Sequence, residues 1–491
     1  MTGMKKITEL LTNVKVINVV GDIDTNISSV SFDSRKTTDN SLFVAIKGVL
    51  KDGNQFIDEA IQKGAKAVVC EIEPENKKDD VVYILVEDCR SSLAIIANNF
   101  YDNPSQKLKL VGVTGTNGKT TVATLLYKLF IGLGFHSALI STIENKIDDK
   151  IYEATQTTPD PVTIASFLAL AVSKGCKFAF MECSSHAIDQ KRIDGLHFVG
   201  GIFTNLTHDH LDYHNTLLEY ATVKKQFFDK LPENAFALGN IDDERGEFLL
   251  QDTKAKKYFY SLKKTSDADF IGKILAQSLD GQTIEINKKK IHTKLIGKYN
   301  AYNIIAIFET AILLGVNAEK ISSSISSLSA PAGRLEFYES NSGIYGVIDY
   351  AHTPDALQNV LETLREIKPK SGKIITVVGC GGERDLSKRE VMGKIACTLS
   401  DYTVFSSDNP RSEDPEHILQ DIVKNLSEKN YECIADRVVA VAKACARARP
   451  NDIVLLAGKG PELYQILDGH QIHFSDIEEL TKNLKIDFFV K

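Results

Sequence analysis

Residues Gly112 to Thr121 read Gly-Val-Thr-Gly-Thr-Asn-Gly-Lys-Thr-Thr. An apolar strand (108–111) precedes this stretch, and residues 122–130 after it are apolar at helical spacing. Small residues in a strand-loop-helix turn let backbone N–H groups face an anion, and the helix adds the positive end of its dipole. The pattern is typical of a phosphate-binding loop, in which Lys119 reaches the outer phosphates and the Thr120 hydroxyl contacts Mg2+. ATP is therefore the first ligand that we predict.

The loop is a variant of the strict phosphate-loop pattern. That pattern places a glycine five positions before Gly118, where this chain has Val113, and the earlier glycines are Gly112 and Gly115. The alternative is a glycine-rich turn with an exposed lysine. The strand, the helix and the Gly-Lys-Thr-Thr sequence together favour phosphate binding.

Composition narrows the class of protein. The 491 residues predict about three domains, and 43% hydrophobic and 25% charged residues are globular values. A net charge of −7 (58 basic minus 65 acidic residues) without a long basic run argues against a nucleic-acid partner. No apolar stretch is long enough for a membrane span or a signal peptide, and the eight cysteines are scattered. We expect a cytoplasmic protein with reduced thiols, no membrane contact and a monomeric state.

Turn-forming segments divide the chain into three predicted α/β domains. Asp102-Asn103-Pro104-Ser105 and Pro331-Ala332-Gly333-Arg334 mark the boundaries, which gives domains 1–105, 106–332 and 333–491. The central domain carries the phosphate loop. The third repeats strand, glycine loop and helix, which indicates a doubly wound, Rossmann-like sheet. Gly379-Cys-Gly-Gly in it does not match the dinucleotide pattern, so we predict no NAD site.

Polar residues follow two further strands of the central domain. Glu182 ends the strand 177–181, and ligands of open α/β sheets gather at the carboxyl ends of strands, so we expect Glu182 near Thr120 and its Mg2+. After strand 201–203, the segment 208–214 holds three histidines and two aspartates. Zinc binding and a solvated loop are alternatives; we favour one imidazole supporting a Mg2+ ion that bridges phosphates.

The residue patterns alone assign no function to three other features. Asn300 and Asn303 lie on one helix face and could hydrogen-bond an adenine or their own backbone. The adjacent Lys224 and Lys225 are typical of a solvated pair. Residues 253–294 look like a strand-rich insert.

Taken together, the motifs resemble the Mur ligase family, the ATP-dependent amino-acid-adding enzymes of peptidoglycan precursor synthesis. Besides the phosphate loop, the matching stretches lie in family order along the whole chain: Met181-Glu-Cys-Ser-Ser-His-Ala, Thr204-Asn-Leu-Thr-His-Asp-His-Leu-Asp-Tyr-His, Gly333-Arg334, Asp349-Tyr-Ala-His-Thr-Pro and Asp408-Asn-Pro-Arg411. The resemblance implies an N-terminal domain for the UDP-sugar end of one substrate, a central ATP domain and a C-terminal amino-acid domain.

The resemblance also implies roles for individual residues. It assigns to ATP Gly115, Thr116, Asn117, Gly118, Lys119, Thr120, Thr121, Asn300, Arg334, Asp349 and His352. It assigns to the metal ion Thr120, Glu182, His210 and Lys224, the last as a carbamate that turns a cation into an oxygen ligand. Lys119, His210 and Lys224 are the implied catalytic residues. The UDP-linked substrate is assigned Ser34, Thr157, Thr158, Ser184, Gln190 and Arg192. The incoming amino acid is assigned Arg384, Asp408, Asn409, Pro410, Arg411, Gly458 and Glu462.

The implied reaction uses ATP and Mg2+ to activate a carboxylate of UDP-N-acetylmuramoyl-L-alanyl-D-glutamate as an acyl phosphate, which the amine of meso-diaminopimelate attacks. Asp408-Asn-Pro-Arg411 resembles the signature of the diaminopimelate-adding form, where Arg411 would bind the distal carboxylate and Glu462 the distal ammonium. The alternatives are the lysine-adding form, a folylpolyglutamate synthase and a nucleotide-binding switch. The chain departs from the family at Asn54 and at Pro461, where histidines are usual; Pro461 affects the pose of Glu462.

Overall fold

The computed structural model describes residues 3–48, 51–263 and 267–486. The chain forms an N-terminal, a central and a C-terminal unit, each with an α/β sheet and its own buried apolar cluster. This confirms the predicted three-domain α/β architecture with a doubly wound C-terminal unit. No helix in those ranges is long and apolar enough to cross a membrane.

The N-terminal unit contains a sheet of order β2-β7-β6-β5-β4, parallel except for the edge strand β2. Its elements are β1 (Lys5–Lys6), α1 (Ile7–Leu10), β2 (Val16–Val20), β3 (Asn26–Ile27), β4 (Ser29–Ser31), β5 (Ser41–Val44), α2 (Ile57–Gln62), β6 (Ala65–Cys70), β7 (Val82–Val86) and α3 (Cys89–Phe100). The Asp88 carboxylate caps α3 by accepting a hydrogen bond from the Ser91 N–H.

The central unit is built on a long sheet of order β11-β10-β9-β12-β8-β13-β14-β15-β16-β17-β18. Its elements are β8 (Lys109–Thr114), α4 (Lys119–Gly132), β9 (Ser137–Ile140), β10 (Asn145–Ile147), β11 (Lys150–Tyr152), α5 (Pro161–Ser173), β12 (Phe178–Glu182), α6 (Ser185–Asp189), β13 (Phe198–Phe203), α7 (Leu211–His214), α8 (Leu217–Asp229), β14 (Phe236–Asn240), α9 (Gly246–Leu250), β15 (Lys256–Ser261), β16 (Phe270–Ser278), β17 (Gly281–Ile286), β18 (Lys289–Thr293), α10 (Lys298–Leu313) and α11 (Ala318–Ile325).

In the sheet order, the seven neighbouring strands β9-β12-β8-β13-β14-β15-β16 are parallel and form the middle of the sheet. Antiparallel strands extend both edges: β10 and β11 beside β9, and β17 and β18 beside β16. Strand β8, which leads into the phosphate loop, lies between β12 and β13. The carboxyl ends of these three strands therefore meet beside the loop. The predicted insert at 253–294 is instead the continuation of the sheet, because β15 pairs in parallel with β14.

The C-terminal unit has a sheet of order β19-β20-β24-β21-β22-β23, parallel except for β19. Its elements are β19 (Glu336–Glu339), β20 (Tyr345–Asp349), α12 (Pro354–Ile367), β21 (Ile374–Val378), α13 (Ser387–Leu399), β22 (Tyr402–Phe405), α14 (Pro415–Val423), β23 (Tyr431–Cys433), α15 (Arg437–Arg447), β24 (Ile453–Ala457), β25 (Tyr464–Leu467), β26 (His470–His473) and α16 (Asp476–Leu484). Wholly buried β21 and β24 occupy the middle of this sheet, as their apolar sequences require.

A buried carboxyl group on α10 gives a stability prediction. Burial raises the pKa of Glu309 to about 8, and within the described ranges its carboxyl group has one hydrogen-bond contact, at 3.5 Å from the Asn287 side-chain amide. A raised carboxyl pKa makes folding less favourable as pH rises above the unfolded value near 4.5, until about pH 8. We expect Glu309→Gln to stabilise the fold by about 4 kcal/mol at pH 8 and to leave stability unchanged at pH 4. Urea unfolding of both proteins at pH 4 and pH 8 measures the change in the free energy of unfolding. An equal change at the two pH values would contradict a raised pKa for Glu309.

Candidate active site

The phosphate loop turns tightly between β8 and α4. Gly115 and Gly118 have φ values of 147° and 87°, in the left-handed region that favours glycine. The Lys119 ammonium donates hydrogen bonds to the carbonyl oxygens of Gly115 and Thr116, at 2.9 and 2.8 Å. Burial lowers the pKa of Lys119, and the nearby carboxylates of Glu182 and Asp209 oppose that effect. The Lys119 side chain thus folds back over the loop and binds two of its carbonyl oxygens.

Glu182 lies where the sequence predicts, at the end of the neighbouring strand β12. It is fully buried, and its Oε2 accepts a 3.0 Å hydrogen bond from the Thr120 hydroxyl. The Thr142 N–H and hydroxyl, at 2.8 and 3.2 Å, bind the same carboxylate. A carboxylate beside a threonine hydroxyl is the oxygen-donor set that suits Mg2+. Sequence analysis missed Thr142; its place after the buried strand β9, beside β12, was the available signal.

The histidine-rich segment approaches the loop from β13. Desolvation lowers the pKa of His210 to about 3, which keeps its imidazole neutral, as a metal ligand requires. Asp209 lies beside it, with 3.5 Å between the carboxylate and Nε2 of His210. His208 instead points to the C-terminal unit, 3.0 Å from Asp385. In the described part of the chain, no group of three His, Cys, Asp or Glu side chains converges as a metal cluster.

Lys224 and Lys225 are buried, so the interpretation as a solvated pair is wrong. Lys224 is 1% exposed; its Nζ donates a 3.0 Å hydrogen bond to the Gly115 carbonyl and lies 4.4 Å from the Tyr220 ring centroid. Burial lowers its pKa well below the usual value, and the charge of Lys119 lowers it further. Lys225 is different, because it pairs with Asp229 and Asp252.

A cavity of about 280 Å³ opens between the central and C-terminal units, next to the loop. Asn300, Asn303, Arg334 and Asp349 line it, as predicted for a nucleotide site. Burial raises the pKa of Asp349 to about 6. The remaining lining residues relevant here are Asn117, Gly118, Thr121, Tyr299, Tyr350 and Asp355.

The two asparagines of α10 leave their predicted alternatives open. Asn300 donates to the Ile296 carbonyl at 2.8 Å, and Asn303 donates to the Asn300 side chain at 3.1 Å. Both nevertheless face the cavity. The Tyr299 hydroxyl and Arg334 Nε are buried without a hydrogen-bond partner among the described residues, as is typical of groups that await a polar ligand. His352 lies outside this lining, with Nδ1 2.7 Å from the Tyr350 carbonyl.

Most residues assigned to the UDP-linked substrate form one network next to Glu182. Thr158 donates to the Glu182 carbonyl at 2.7 Å and accepts from the Ser184 N–H at 3.1 Å. Arg192 binds the Thr158 carbonyl at 2.9 Å and the Gln190 side chain at 2.6 Å. The Thr157 hydroxyl lies 3.1 Å from that of Thr142. Ser34 does not join this network: it belongs to the N-terminal unit and donates to Glu59 at 2.9 Å.

The residues assigned to the amino acid meet at the carboxyl ends of β22 and β24. Asn409 donates to Glu462 at 2.9 Å, and the fully buried Lys459, absent from our sequence assignments, binds the same carboxylate oxygen at 2.8 Å. Glu462 thus keeps a defined position after Pro461. Arg411 donates to the Gly382 carbonyl at 2.5 Å. Asp408 and Pro410 are buried, whereas Arg384 is exposed. Gly458 packs closely on Asp408, because a Cβ added to Gly458 would lie 2.7 Å from Asp408 Oδ2.

Three family models match the chain in succession. The Mur ligase family, catalytic domain model matches residues 26–101, the Mur ligase middle domain residues 113–311, and the Mur ligase, glutamate ligase domain residues 333–460. The chain belongs to the Mur ligase family. As a Mur ligase it is an ATP-dependent enzyme that forms amide bonds.

Individual relatives of this Mur ligase cover nearly its whole length. It is 49% identical over 486 residues, 98% of this chain and 99% of the relative, to a protein of Cytophaga hutchinsonii named UDP-N-acetylmuramoyl-L-alanyl-D-glutamate--2,6-diaminopimelate ligase. A protein of the same name from Phocaeicola vulgatus is 45% identical, over 97% of this chain and 98% of the relative. A solved structure of a ligase of that name has a TM-score of 0.72 at 29% identity, covering 98% of this chain and 99% of the other.

The phosphate loop of this Mur ligase leaves no room for a side chain at Gly115. A Cβ there would lie 1.9 Å from Thr204 Oγ1 and about 3 Å from the Asn205 backbone. Displacing the loop would also move the carbonyl that Lys119 and Lys224 share. We expect Gly115→Ala to raise the KM for ATP about tenfold, measured by ADP release. Gly132→Ala is the matched control, because nothing lies within 4 Å of its added Cβ; equal effects at the two positions would refute the steric argument.

Proposed function

We propose that this Mur ligase adds meso-2,6-diaminopimelate to UDP-N-acetylmuramoyl-L-alanyl-D-glutamate and converts ATP to ADP and phosphate. One observation carries the proposal. The phosphate loop, the network around Thr158 and the cluster around Arg411 and Glu462 lie at the carboxyl ends of adjoining sheets, within a chain 49% identical to a relative that bears the name of this ligase.

In the proposed first step, a substrate carboxylate oxygen attacks the γ-phosphorus of ATP, the bond to the β-phosphate oxygen breaks, and ADP leaves. Lys119 and the loop N–H groups hold the phosphates, and Arg334 lies 3.4 Å from the Thr120 hydroxyl, where it can stabilise the developing charge. Thr120, Glu182, His210 and carbamylated Lys224 would hold Mg2+, which neutralises phosphate charge when bound.

In the second step, the unprotonated amine of diaminopimelate attacks the acyl carbon, the bond from that carbon to the phosphate oxygen breaks, and phosphate and one proton are released. The amine must approach from the C-terminal unit, where Asn409, Arg411 and Glu462 lie. The contacts His208–Asp385 and Asn117–Asp355 join that unit to the central one, at 3.0 Å each. Positioning of the two reactants, together with charge neutralisation, supplies most of the rate acceleration in such reactions.

The remaining assignments follow from the same proposal. We place the domain boundaries at 105/106 and 332/333, close to the limits of the three sheets. A cytoplasmic enzyme is supported by the eight free cysteines, seven of them buried. A monomer is supported because one chain supplies residues for all three substrates.

The test is phosphate release by the purified protein with ATP, Mg2+ and UDP-N-acetylmuramoyl-L-alanyl-D-glutamate. Separate reactions contain meso-diaminopimelate, L-lysine or no amino acid. Phosphate release with diaminopimelate but not with lysine would support the proposal. Release with lysine but not with diaminopimelate would show that the enzyme is the lysine-adding form. Phosphate release at the same rate with and without an amino acid would favour a nucleotide-binding switch. A reaction with a reduced folate and glutamate instead tests the folylpolyglutamate synthase alternative.

A further inference from the structure

The turn 190–195 belongs to the central unit and touches both the substrate network and the N-terminal unit. Gln190 and Arg192 contact each other, and Arg192 binds the Thr158 carbonyl. Between them, Lys191 has a left-handed backbone with φ 57° and forms an ion pair with Asp88, immediately before α3 of the N-terminal unit. Consecutive residues of one turn thus contact the substrate network on one side and the N-terminal unit on the other.

Two further contacts tie the same turn to α3. The Ser91 hydroxyl donates a 3.1 Å hydrogen bond to Asp194 Oδ2. Gly195 packs so closely on α3 that an added Cβ would lie 3.3 Å from the Ile95 Cα atom. Three successive points of contact along five residues restrict both rotation and translation of the N-terminal unit relative to the turn.

We propose that this turn is an inter-unit positioning element: Lys191 and Asp194 fix the N-terminal unit, which carries Ser34, at a set distance from Gln190 and Arg192. The inference rests on the proposed function, because only a long substrate that contacts both units gains from a fixed separation. When two contacts share one ligand, the second contact depends on the effective concentration that the first one creates, and a mobile connection lowers it. The element therefore acts on the KM for the UDP-linked substrate.

The experiment removes the two polar contacts without disturbing the cap of α3, which uses the Ser91 N–H and the Asp88 carboxylate. Lys191→Met and Ser91→Ala each remove one contact, and the double variant removes both. Because both groups of the ion pair are about one-third exposed, we expect each single change to raise the KM for the UDP-linked substrate about threefold and the double change about tenfold. The KM values for ATP and diaminopimelate and the thermal midpoint should stay unchanged.

Two controls isolate the inter-unit contact. Lys191→Arg keeps the ion pair and should keep the normal KM. Lys230→Met removes another lysine that pairs with Asp194, at 2.6 Å, but inside the central unit, so its KM should also be normal. The inference is overturned if the double variant has a normal KM, if all three KM values rise together, or if Lys230→Met raises the KM equally. A wild-type protein that forms no product with any amino acid would instead refute the proposed function.

Discussion

Replacing Lys224 with methionine should lower kcat about 1,000-fold, because the site would lose the anionic metal ligand that we propose the Lys224 carbamate to be. The buried amine meets the requirement for carbamate formation, since its lowered pKa favours the neutral form that can attack CO2. The amine lies beside the phosphate loop, 3.0 Å from the Gly115 carbonyl, so the carbamate oxygens would form there. Lys224→Arg should be equally inactive, because a guanidinium stays charged and forms no such carbamate.

Lys225→Met is the matched control for this prediction. It removes a buried lysine one residue away, but that lysine pairs with Asp229 at 2.8 Å and Asp252 at 2.6 Å, away from the loop. We expect its kcat to stay within about twofold of wild type. Carbon-13 NMR after incubation with labelled bicarbonate gives a second measurement: a carbamate resonance should be present in Lys225→Met and absent in Lys224→Met. An active Lys224→Arg enzyme would exclude the carbamate.

The contrast between these lysines shows what sequence reasoning reaches in this protein. The strand-loop-helix pattern at 112–121 predicts the loop, and the position of Glu182 after a buried strand predicts its contact with Thr120, because neighbouring parallel strands align their ends. The family resemblance singles out Lys224, but no local residue pattern distinguishes it from Lys225. Its place beside the phosphate loop depends on α8 packing its Tyr220 face under the loop. Only tertiary structure decides that difference.

Contacts between units are the other feature that the sequence does not predict. The cavity beside the loop requires Arg334 and Asp349 to meet α10. Only the family resemblance placed these residues at one nucleotide site; local residue patterns did not. Lys459 is similar: a lysine between two glycines is typical of an exposed turn, yet its side chain is fully buried between Asn409 and Glu462. Such pairings follow from sheet order and domain docking, which local patterns do not encode.

Arg411 should decide between diaminopimelate and lysine. It has a left-handed backbone with φ 58°, and its Nη1 is held by the carbonyl oxygens of Gly382 and Asn409. Within the described ranges, its Nε and Nη2 donate no hydrogen bond, so two parallel N–H groups remain for a carboxylate. Diaminopimelate offers that carboxylate at its distal end, and lysine does not.

We expect Arg411→Met to lower kcat/KM for diaminopimelate about 100-fold, since truncating one partner of a desolvated, hydrogen-bonded charge pair costs about 2–5 kcal/mol. The value for lysine should stay the same or rise, because lysine no longer leaves a guanidinium unpaired. The measurement is the ratio of the two kcat/KM values in phosphate release, which cancels losses of folded protein. Arg447→Met is the control, because that guanidinium stacks on Tyr402, 3.7 Å from the ring centroid. A ratio unchanged in Arg411→Met would refute the role given to Arg411, because lysine shares the distal ammonium proposed to pair with Glu462, and a shared contact cannot discriminate.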